Sequence, residues 1–68
     1  MKVTKETFYG TVEFSTAVFD LDGTNLEEGV EVRINDELVG ELVGESLSRF
    51  EEMSDEEVEK FVEDKEYV

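Results

Sequence analysis

The sequence predicts an α+β fold: a small antiparallel sheet of three to four strands, followed by a C-terminal helical segment packed on one face. Three observations carry this. Up to about residue 43 the apolar residues alternate with polar ones at period two, with β-branched and aromatic types prominent. From Ser46 onward the apolar spacing lengthens to three and four. Strands therefore come first and helix last, which is the order of an α+β domain. The 68 residues suit one small domain, 1–68, with strands over about 2–43 and one helix or two short helices over about 46–66.

Residues 2–15 read as one strand, with Phe8, Gly10, Val12 and Phe14 on one face and Thr7, Tyr9, Thr11 and Glu13 on the other. The extended pattern continues from Thr16 to Leu21, but Ala17, Phe19 and Leu21 have the opposite parity. A bulge or tight turn near Ser15–Thr16 would explain the switch. Asp22-Gly23 is a hairpin-type turn signal, because such turns need positive φ. Asn25–Gly29 reads as loop. Val30, Val32 and Ile34 alternate with Glu31 and Arg33 as another strand, and Asn35-Asp36-Glu37 reads as a turn. Leu38–Val43 is read as a strand. A helix stacking Leu38 on Leu42 competes, but Gly40 and Gly44 would each cost it about 1 kcal/mol.

Leu47, Phe50 and Met53 then recur at helical spacing, as do Val58, Phe61 and Val62. Ser54 with Glu57 makes a capping-box pattern, so a helix is expected to start there. Strongly apolar residues (Leu, Ile, Val, Phe) number 21 of 68, about 31%. That exceeds the roughly 20% below which a highly charged chain stays disordered. A folded domain of marginal stability is expected, which homodimer formation or salt would support.

The net charge is -14, from 20 acids against 6 basic residues, with no His, Cys, Trp or Pro. There is no disulfide to form and no Cys/His zinc site to build. A catalytic triad would lack its base. Anionic partners, meaning bare nucleic acid and acidic membrane, would be repelled. No apolar run approaches membrane-spanning length and no signal-peptide pattern opens the chain, so a cytoplasmic location is expected.

Residues 17–24, Ala-Val-Phe-Asp-Leu-Asp-Gly-Thr, resemble the first motif of the haloacid-dehalogenase phosphotransferase superfamily. The resemblance implies Asp20 as nucleophile and Asp22 as acid/base, beside magnesium. It covers 8 residues of 68. That family needs a parallel sheet with helical crossovers of a dozen or more residues each. Only 44 residues follow Thr24, without a strand–helix–strand series, and the apolar residue usual after the Thr is Asn25. A calcium loop starting at Asp20 would place Glu31 at its twelfth position, but Asn25 stands where its sixth-position glycine belongs. The expected catalytic set, metal set and cofactor are therefore none, and Asp22-Gly23 is a turn.

The acids themselves are the informative pattern. Residues 51–66 hold nine, offset by Lys60 and Lys65. As one helix these 16 residues would span roughly 24 Å, one carboxylate per roughly 2.7 Å against one phosphate per about 1.7 Å of duplex DNA. Carboxylates at i, i+4 lie about 6 Å apart, close to two rises of a DNA strand. Like-charged pairs such as Glu52/Glu56, Asp55/Glu59 and Glu59/Glu63 each cost a helix a few tenths of a kcal/mol. Small acidic phage and mobile-element proteins that inhibit restriction enzymes, CRISPR effectors, repair glycosylases or polymerases are similar in size and charge.

The expected function is non-catalytic: binding and inhibiting a basic nucleic-acid-binding protein by mimicry of the phosphate backbone. The expected contact residues are Glu41, Glu45, Glu52, Asp55, Glu56, Glu59, Glu63, Asp64 and Glu66. Two alternatives stand beside it. One is an antitoxin or regulatory adaptor that lays the stripe Val58, Phe61 and Val62 into a partner groove. The other is acidity that serves only solubility or salt adaptation.

Overall fold

A computed structural model describes residues 1–20, 22–23 and 25–67. The elements run β1 (Lys2–Thr7), β2 (Gly10–Asp20), β3 (Leu26–Ile34), β4 (Glu37–Val43), α1 (Leu47–Glu51) and α2 (Asp55–Glu63). The four strands form one antiparallel sheet in the order β1-β2-β3-β4, each paired with the next in sequence. Both helices follow the sheet, giving the α+β arrangement that the sequence predicts.

The helices cover one face. Val12 and Phe14 from β2 and Val30 and Val32 from β3 all point to it and are fully buried. Leu47 and Phe50 of α1 meet Val58, Phe61 and Val62 of α2 above them. Three phenylalanines tie the layers together. Phe14 and Phe50 stack at 4.2 Å, and Phe61 meets both edge-on at 5.8 and 5.6 Å. No polar or charged residue is buried among the described residues, so this core carries no desolvated charge.

The expected single strand over 2–15 is two strands. They are joined by a turn at Phe8 and Tyr9, with Thr7 opposite Gly10. Phe8 and Tyr9 keep negative φ and Gly10 takes +118°, the pattern of a type I turn closed by a left-handed glycine. The bulge expected near Ser15–Thr16 is absent. β2 and β3 stay in unbroken register from Val12↔Ile34 to Asp20↔Leu26. The change in apolar parity arises because the helical layer ends above Phe14. Beyond it the helix-side residues Thr16 and Val18 are exposed, while Ala17 and Phe19 are half-buried on the other face. Leu21 and Thr24, to which the parity and phosphotransferase readings extend, lie outside the described residues.

Leu26–Gly29, expected as loop, is the first part of β3 and pairs with Ala17–Asp20. Val30–Ile34 and Leu38–Val43 are strands as expected. The one irregularity lies between Val32 and Arg33, opposite Leu38 and Gly40, where Val39 is the extra residue. Asn35 and Asp36 have φ of 51° and 69°, a two-residue turn of type I′. In the C-terminal segment the break at Ser54 gives two helices rather than one. Ser54 accepts from the Glu57 amide at 3.2 Å, and the Glu57 carboxylate accepts from the Ser54 amide at 3.0 Å. At the other end of α2, Lys65 takes φ of 52°. The Glu66 amide donates to the Phe61 carbonyl and the Lys65 amide to the Val62 carbonyl. That pair of bonds is a Schellman closure. It turns the chain back so that the backbone of Tyr67 lies where a Cβ on Gly40 would be. Gly40 is thus required for close approach of the C-terminal segment to β4.

Candidate functional site: the acidic helix and its neighbouring turn

α2 is nine residues long, about 13.5 Å at 1.5 Å per residue. The 24 Å single helix on which the phosphate comparison rests is therefore not formed; the end of α1, the bend at 52–54 and the turn at 64–66 carry the rest. Within α2 the buried stripe Val58, Phe61 and Val62 fixes where the acids point. At 100° per residue, Asp55, Glu59 and Glu63 fall along one flank, one turn apart. Glu56 and Lys60 lie on the outward face, and Asp64 beyond them. The first turn holds Asp55, Glu56 and Glu57, where negative charge is favoured by the helix dipole.

These carboxylates are not all alike. Glu57 closes the capping box. Asp64 lies 3.7 Å from the Lys60 ammonium. Glu59 accepts from the backbone amide of Phe8 at 2.6 Å, joining the flank to the β1–β2 turn. Glu52, Asp55, Glu56, Glu63 and Glu66 are exposed, and none of them takes part in the ion pairs formed among the described residues.

Two of the expected contact residues lie elsewhere. Glu41 pairs across with Glu31. Because Val30 and Val32 point to the helices, Glu31 and Glu41 point to the opposite, uncovered face of the sheet. That face also holds Glu13 and Arg33, with Arg33 donating to Glu31 at 3.1 Å and Lys2 lying 4.0 Å from Glu13. Glu45 precedes α1 and pairs with Arg49. Asp55, Glu56, Glu59 and Glu63 thus form one surface on α2, with Glu52, Asp64 and Glu66 at its ends. Glu41 belongs to a separate face, and Glu45 lies ahead of α1, paired with Arg49.

The turn at Phe8 is the feature that the sequence did not disclose as part of this surface. Phe8 is 87% exposed and its ring meets Tyr9 edge-on at 5.6 Å. The Thr7 hydroxyl donates to the Gly10 carbonyl at 2.8 Å and accepts from the Tyr9 amide at 3.2 Å. Asn35 accepts from the Thr11 amide at 3.1 Å and lies over Gly10, bracing the turn from the β3–β4 connection.

Asp20 and Asp22 sit at the other end of the sheet. The Asp20 carboxylate accepts from the Gly23 amide at 2.7 Å, and that of Asp22 from the Asn25 amide at 2.9 Å. The two aspartates thus shape the connection between antiparallel strands. No group of three or more metal-ligating side chains gathers among the described residues. Among them, too, no helix is long and apolar enough to cross a membrane. No protein-family model, curated protein or solved structure matches the chain.

Proposed function

We propose that this chain is a non-catalytic binding protein that inhibits a nucleic-acid-binding protein by offering carboxylates where that partner takes phosphates. The observation that supports it is the α2 flank: Asp55, Glu59 and Glu63 at one-turn intervals of about 6 Å, near twice the 3.4 Å rise of a DNA strand. Exposed Glu56 and Glu52 extend the field. A Lys/Arg groove that normally holds phosphates would meet this flank with complementary charge. That raises the association rate and makes it sensitive to salt, because exposed charges are screened beyond about 8 Å at physiological ionic strength.

The adaptor reading has less support. Val58, Phe61 and Val62 are 0%, 2% and 7% exposed, already spent in this chain's own core. The test is inhibition of a panel of purified enzymes: a restriction endonuclease, a CRISPR nuclease, a repair glycosylase and a DNA polymerase, each titrated at low and high salt. Inhibition of at least one, weakening as salt rises and reduced by the pair Glu56→Gln/Glu63→Gln, is the expected result. Inhibition of none, or inhibition indifferent to salt, leaves the acidity as a solubility device.

A further inference from the structure

We propose that Phe8 is the apolar anchor of this docking surface, seated in an apolar cleft bordered by the partner's Lys and Arg side chains. The proposal rests on the reading above and deepens it. It starts from the most exposed aromatic ring among the described residues. The two central positions of a type I turn accept most residues, so the turn does not require an aromatic ring there. Yet position 8 holds a Phe whose ring is 87% exposed and whose one ring partner is the neighbouring Tyr9.

The turn is also held ready. Thr7, Glu59 and Asn35 restrain the turn from β1, α2 and the β3–β4 connection, and Gly10 supplies the left-handed conformation that closes it. A turn held on a fixed backbone loses little further backbone freedom on binding, which is the advantage of preorganisation. Buried aromatic anchors enclosed by a polar rim carry most of the energy in many protein interfaces.

The occupant follows from charge. The amide of Phe8 is bonded to Glu59, the middle residue of the acidic flank, which joins the turn to that flank. Whatever receives Phe8 must place cations beside its apolar cleft, within reach of Asp55 and Glu63. Nucleic-acid enzymes combine those two features, since they stack bases on apolar and aromatic side chains beside phosphate-binding cations. Carboxylates would then occupy the phosphate positions while the ring occupies the position of a base.

The experiment compares three variants against each enzyme of the panel that the wild type inhibits. Phe8→Ser should weaken inhibition about tenfold to a hundredfold, at low and high salt alike, with an unchanged melting temperature because the ring lies outside the core. Phe8→Tyr should retain it. Glu56→Gln/Glu63→Gln should instead weaken inhibition mainly at low salt and flatten its salt dependence. Salt-sensitive inhibition that Phe8→Ser leaves intact would overturn the anchor while leaving the charge reading standing. Inhibition of no enzyme overturns both. A Phe8-dependent dimer of the free protein would also overturn the anchor, since the ring would then be covered by a second copy.

Discussion

Single residues here divide by what lies around them rather than by type. Phe8 and Phe50 make the contrast. Phe50 has no exposed surface, stacks on Phe14 and meets Phe61. Truncating such a ring costs about 3–5 kcal/mol, comparable to the roughly 3–5 kcal/mol that a core of this size supplies in all. Phe50→Ala is therefore expected to leave the chain largely unfolded, with loss of amide dispersion in a proton–nitrogen spectrum. A dispersed, native-like spectrum would show that the three-ring cluster is not the keystone described. At the other extreme, the sequence could not reveal that Phe8 is exposed. Its parity matches that of Val12 and Phe14, so it reads as core until the turn at Gly10 is known.

At the scale of elements, local chemistry was legible and non-local pairing was not. The start of α2 was readable because Ser54 and Glu57 carry the whole capping box within four residues. β3 from Val30, the Asn35–Asp36 turn and β4 were readable because each announces itself in a few neighbouring residues. The first part of β3 was not. Leu26-Glu27-Glu28-Gly29 lacks β-branched residues, and it is extended because β2 offers a partner strand. The acids of α2 were legible as a helix face, since their spacing fixes it. The placement of Glu41 on the other side of the sheet needed the β3–β4 register, and the bond from Phe8 to Glu59 joins positions 51 residues apart. The two helix starts also differ in a testable way. Ser54→Ala removes a reciprocal cap and is expected to cost about 1 kcal/mol, lowering the melting temperature by roughly 4–8 °C. Ser46→Ala should cost less, because Ser46 accepts from Ser48 at a long 3.4 Å. Equal losses in calorimetry would contradict the capping-box assignment.

Over the whole molecule, the -14 charge has no single address. Carboxylates lie on α2, on the uncovered sheet face and around the β2–β3 connection, while the core holds none. The self-repulsion of these acids is thus spread over the surface rather than held in the core. What distinguishes α2 is the regularity of its flank and the rigid turn beside it.

The length of β2 has a consequence in time. Its eleven residues run about 36 Å at 3.3 Å each, close to the full 39 Å of the molecule, while the helices cover only the part around Val12 and Phe14. The paired ends Ala17–Asp20 and Leu26–Gly29 form an arm with no helix above it. Opening that arm exposes little buried apolar surface, whereas freeing the amides of Val12, Phe14 and Val32 requires the core to separate. Amide hydrogen exchange should therefore fall into two tiers on one continuous strand. Ala17 and Phe19, whose amides face β3, should exchange by frequent local opening, and Val12 and Phe14 only through global unfolding. Uniform protection along β2 would mean that the arm and the core open as a single cooperative unit.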